Sequence, residues 1–71
     1  MELTDRQKQI YRFIEHFIIK NQYSPTYDEI GRHFEFTKKA ARDHVYAIMK
    51  KGYLRVNPSP RTIVLIKDLK D

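Results

Sequence analysis

Apolar residues recur in the first third of the chain at Ile10, Phe13, Ile14, Phe17 and Ile18, the i, i+3, i+4, i+7, i+8 spacing that lays one buried stripe along a helix. Ahead of the stripe, Thr4 and Gln7 have capping-box spacing. The hydroxyl accepts from a backbone N–H three residues on, and the Gln7 side chain reaches back. The two signals predict a helix over residues 5–21, bounded by Ser24-Pro25 because a residue preceding proline avoids the helical region. Thr26 and Glu29 repeat the capping-box spacing, which predicts a short second helix over 27–34 that buries Ile30 and Phe34. Only Glu35 and Phe36 intervene before Thr37, the cap of a third helix over 38–51. Its apolar positions are Ala41, Val45, Ile48 and Met49, and Gly52 stands where a left-handed stop is wanted.

The pattern then changes character. Tyr53-Leu54-Arg55-Val56 and Thr62-Ile63-Val64-Leu65-Ile66 are rich in β-formers and flank Asn57-Pro58-Ser59-Pro60-Arg61, the composition of a hairpin loop. Strands over 53–56 and 62–66 make a hairpin after the third helix. Two helices joined by so short a turn, followed by such a wing, predict a mainly α fold with a small β-hairpin. This is a three-helix winged helix-turn-helix, in a single domain across residues 1–71. Residues 67–71 are expected to be a frayed end or the start of a linker.

Composition narrows the function. A chain of 71 residues buries one small core and has no room for an elaborate catalytic cleft. It has no cysteine, hence no disulfide framework and no thiolate metal site, which fits a reducing cytoplasm. The N-terminus lacks the basic start and apolar run of a signal peptide, and no stretch reaches transmembrane length, so a soluble protein without a membrane partner is expected. Charge is unevenly divided: residues 1–35 hold five Lys/Arg against six Asp/Glu, whereas 36–71 hold nine against three. Such asymmetry marks contact with nucleic acid or an anionic membrane, or else a solvated basic face.

At about 100° per residue, the face of the third helix opposite Ala41, Val45 and Ile48 carries Lys39, Asp43, Tyr46 and Lys50, with Ala47 beside them and Lys38 and Arg42 on its flanks. A helix that reads a groove needs this mixture: cations for phosphates and guanine edges, polar groups for other edges, and a small residue such as Ala40 where the backbone comes close. In the wing, Pro58 and Pro60 stiffen a tip that offers Arg61 for backbone or minor-groove contact. The second helix starts at Thr26-Tyr27, where free N–H groups and the helix dipole favour a phosphate oxygen. His16, His33 and His44 are separated by spacings that match no ligand motif, and no serine has a placed base. Neither metal, cofactor nor enzymatic activity is expected, and His44 is read as a residue that packs at the edge of the third helix or bonds to a neighbour, with a pH-sensing role as the second reading.

Leu3-Thr4-Asp5-Arg6-Gln7 with Phe13-Ile14, then residues 24–31 (SPTYDEIG), 40–45 (AARDHV) and 51–54 (KGYL) resemble the N-terminal DNA-binding domain of LexA repressors over nearly all of 3–65. The resemblance implies a bacterial or phage transcriptional repressor whose third helix enters the major groove of a palindromic operator. It further implies Thr37, Lys39, Ala40, Arg42 and Asp43 as the base-contacting set. Glu35 replaces the turn glycine of that family, and a left-handed backbone there costs about 1 kcal/mol or slightly more. The self-cleaving domain of LexA, with its serine and lysine, is not among these residues. The expected partner is double-stranded DNA, with weak or no self-association in its absence. The rival reading from the residues alone is a winged-helix protein-interaction module whose basic face meets an acidic partner.

Overall fold

The computed structural model describes residues 2–58, 61 and 63–69. Three helices, α1 (Asp5–Asn21), α2 (Tyr27–Phe34) and α3 (Lys38–Lys50), precede a two-stranded antiparallel hairpin, β1 (Leu54–Val56) and β2 (Ile63–Leu65). Leu54 pairs with Leu65 and Val56 with Ile63. The fold is therefore the expected winged helix-turn-helix, with small changes of boundary. The third helix ends at Lys50 rather than 51, with Lys51 as its cap. The first strand begins at Leu54 rather than 53, and the second ends at Leu65 rather than 66. The carbonyl of Tyr53 instead accepts from the amides of Ile66 and Lys67, which closes the base of the hairpin. Thr62 and Pro60 lie outside the described residues.

Each helix begins as its cap dictates. Thr4 accepts from the Gln7 amide at 3.2 Å while Gln7 accepts from Thr4 N–H at 3.0 Å. Thr26 and Glu29 repeat the exchange at 3.2 and 2.8 Å, and Thr37 caps the Ala40 amide at 3.1 Å. The first two helices end on left-handed residues that are not glycine: Gln22 at φ 67° and Glu35 at φ 62°. Gly52, at φ 88°, supplies the third stop without that strain.

The core joins Ile10, Tyr11 and Ile14 of α1, Ile30 of α2, Ala41, Val45 and Ile48 of α3, and Leu54 and Ile63 of the hairpin. Two expectations need correction here. The α1 stripe is rotated toward Tyr11, which is fully buried, whereas Phe13 and Ile18 only flank the core. And residues 67–69 are no frayed end. The Tyr11 hydroxyl donates to the Lys67 carbonyl at 2.6 Å, Arg12 donates to the Leu69 carbonyl at 3.0 Å, and Leu69 itself is buried. The folded-back tail covers the side of α1 that spacing alone left to solvent. Burial, with the Glu15 carboxylate nearby, pushes the Tyr11 hydroxyl above its ordinary pKa.

Gly31 decides how closely α2 and α3 approach. It is buried, and a Cβ there would lie 2.7 Å from the Phe36 carbonyl oxygen. The Phe36 amide in turn donates to the Gly31 carbonyl at 2.8 Å. The tight turn thus needs both the missing side chain at Gly31 and the left-handed Glu35, and it is this turn that sets the angle at which α3 is presented.

Candidate nucleic-acid interface

Burial of Ala41, Val45 and Ile48 turns the opposite face of α3 outward. Lys38, Lys39, Arg42, Asp43, Tyr46 and Lys50 are all exposed, and Ala40 and Ala47 are half-buried at its margins. Beside this face runs a groove of about 760 Å³. One wall is the first turn of α2, with Thr26, Tyr27 and Asp28; the other is the hairpin, with Val56, Asn57 and Pro58; Lys38, Lys39, Arg42 and Tyr46 form the α3 side. Six of the residues singled out from the sequence are brought together here. Thr37 lies exposed at the N-cap just ahead of them, its oxygen occupied by the Ala40 amide. Ala40, Asp43 and Lys50 do not line the groove but share its helix.

Several of these side chains interact. Burial, with the Tyr46 hydroxyl nearby, raises the Tyr27 pKa against the pull of Arg42. Lys39 reaches Asp43 at 3.3 Å, one helical turn away. Both are largely exposed, at 77% and 60%, so solvent screens the pair and leaves it easily exchanged for another partner. His44 stacks on Phe36 with ring centroids 4.7 Å apart, which gives it the packing role expected. Arg61 is placed differently from the expectation of an outward-reaching cation. Its guanidinium forms a two-pronged pair with Glu29 at 2.9 and 3.0 Å, and that bond holds the Glu29 carboxyl below its ordinary range. Among the described residues, no group of histidines and carboxylates is arranged to hold a metal ion.

Sequence reasoning missed Asp28, Val56, Asn57 and Pro58 as parts of the groove. Asp28 follows Tyr27 in the first turn, so a phosphate at that helix start meets a carboxylate as well as amide N–H groups. The three hairpin residues were legible as a loop but not as a wall, because nothing in their spacing tells which way the hairpin leans.

Residues 1–62 match the family described as LexA DNA binding domain. The chain belongs to that family. Among LexA repressors, this LexA DNA-binding domain is 46% identical over 67 residues to that of Thermosipho africanus, and 42% identical over 71 residues to that of Thermotoga maritima. It is 43% identical over 67 residues to that of Leptospira interrogans. These alignments cover 93%, 99% and 93% of the chain but 34%, 36% and 33% of the relatives. The chain thus spans about a third of the length of the repressors it matches. The resemblance carried by the four motifs holds, and with it the assignment of the molecule as a DNA-binding domain.

Proposed function

We propose that this domain is the operator-reading part of a transcriptional repressor, binding double-stranded DNA sequence-specifically with α3 in the major groove. The observation that carries the reading is the groove: three cations of α3 stand between a capped helix start and a hairpin wall, and such a cleft accepts the backbone ridge that borders a major groove. In this reading Lys38, Lys50 and the first turn of α2 at Thr26 and Tyr27 meet phosphates, which set register. Arg42, Lys39, Thr37 and Asp43 face base edges, Ala40 permits close approach, and Tyr46 packs along the groove wall. No helix among the described residues is long and apolar enough to cross a membrane, and a repressor of this kind would act on the chromosome in the cytoplasm. A palindromic operator taken by two copies fits the two-fold habit of helix-turn-helix proteins.

A salt titration against random duplex DNA tests the reading, since each neutralised phosphate gives a log–log slope of about −0.9. The two cations placed at phosphates, Lys38 and Lys50, predict a slope of about −2. A flat response would assign the basic face to an acidic protein partner instead.

A further inference from the structure

Arg61 ties the hairpin to the start of α2. Arg61 spans 32 positions of sequence to grip both oxygens of Glu29, at 2.9 and 3.0 Å. The same guanidinium donates to the Ser24 carbonyl at 3.2 Å and lies over the Tyr23 ring at 4.6 Å. Next to it, the first amide of β2, that of Ile63, donates to the buried Ser24 hydroxyl at 3.1 Å. The Glu29 carboxylate is shared: its Oε1 also accepts from the Thr26 N–H at 2.8 Å, closing the capping box of α2. One carboxylate therefore caps the helix that forms one wall of the groove and clamps the hairpin that forms the other.

We propose that Arg61 is a positioning residue whose forked pair with Glu29 latches the wing to the first turn of α2 and so fixes the width of the groove beside α3. The proposal rests on the reading of that groove as the DNA interface. Three features favour a latch over a phosphate contact. Two prongs of the guanidinium are spent on Glu29, and Ser24 shares one of them. A ring lies against its face. And the negative charge of Glu29 cancels the positive charge of Arg61, so the pair has little to offer a polyanion. Planar, two-pronged geometry is what arginine provides and lysine does not.

Two conservative variants separate the possibilities. Glu29→Gln keeps the capping box, which glutamine also closes, but removes the carboxylate. Arg61→Lys keeps the charge but loses the fork. Duplex affinity is measured for the parent domain, both variants and the double variant, at a temperature where circular dichroism shows all four folded. The latch predicts that each single variant binds about three- to fivefold more weakly, the range of a partly exposed ion pair. It also predicts that the double variant is no weaker than the worse single one. The Glu29→Gln loss is the sharp case, because that change makes the domain more positive. If Arg61 instead meets a phosphate, Glu29→Gln releases it and strengthens binding, Arg61→Lys keeps most of the affinity, and the latch is overturned. Hydrogen exchange at the Ile63 amide, measured without DNA, reads the latch independently: it quickens in both variants if the latch exists, and unchanged exchange overturns it. A parent domain that binds no duplex refutes the DNA reading while the exchange data still judge the latch.

Discussion

Arg42 and Lys39 sit one turn apart from different neighbours, and the difference sets what each loses on truncation. Arg42 is exposed on the groove and has the two-pronged geometry that reads a guanine edge. Arg42→Ala is expected to cost roughly 1–3 kcal/mol at one base pair and to relax preference there. Binding to a set of singly substituted operators measures it, and an equal loss on every sequence would make Arg42 a phosphate contact. Lys39 already holds Asp43, so its removal also frees a carboxylate toward the DNA. Glu29 contributes to the domain's behaviour in acid. Its bond to Arg61 lowers its pKa below the ordinary 4.5, so the folded state binds its proton less readily than the unfolded chain. The stabilisation is complete above pH 4.5 and is lost as pH falls through the lowered folded value. In thermal melts, Glu29→Gln should flatten the decline of Tm below about pH 4.5 and lower Tm at neutral pH. Parallel profiles for the two proteins would remove Glu29 from the acid response.

At the scale of elements, the caps were legible and the strain was partly so. Thr4/Gln7 and Thr26/Glu29 each fix a helix start through contacts within four residues, and so spacing suffices to find them. Glu35 was recognisable as an unusual residue for the turn, and its φ of 62° shows that the chain does adopt a conformation unfavourable to a side chain. Glu35→Gly should stabilise the domain by about 0.5–1 kcal/mol, the relief of left-handed strain less the added freedom of the unfolded chain. Denaturant unfolding reads this as a higher midpoint at unchanged slope. Gly31→Ala should act in the opposite direction. The 2.7 Å approach to the Phe36 carbonyl forces α2 and α3 apart, at a net cost of about 1–2 kcal/mol after the better helix propensity of alanine is credited. Because the displaced element carries Lys38, Lys39 and Arg42, DNA affinity should fall even in samples that remain folded; unchanged affinity would separate the turn from the presentation of α3.

The whole molecule measures 26 × 23 × 21 Å, less than the roughly 34 Å between half-sites one DNA turn apart. Two copies therefore fit side by side on one face of a duplex. Its exposed large apolar residues, Ile19, Tyr23, Tyr46, Val64 and Ile66, are spread over separate elements. Val64 and Ile66 stand two positions apart, and such a pair is far short of the roughly 800 Å² per partner of a stable interface. The free domain should sediment as a monomer at micromolar concentration and load in pairs on a palindromic duplex; a dimer without DNA would point to the hairpin edge. What the sequence determined by itself was whatever depends on neighbours a few residues apart: three helices, their caps, the Gly52 stop, the hairpin, and the basic outward face of α3, which follows from the periodic burial of Ala41, Val45 and Ile48. Only the tertiary structure decided the rest. It buried Tyr11 under a tail 56 residues away, and it paired Arg61 with Glu29 and leaned the hairpin over α3 to make a groove. Those outcomes depend on which distant surfaces meet, and residue spacing carries no record of a meeting between segments that are far apart in the chain.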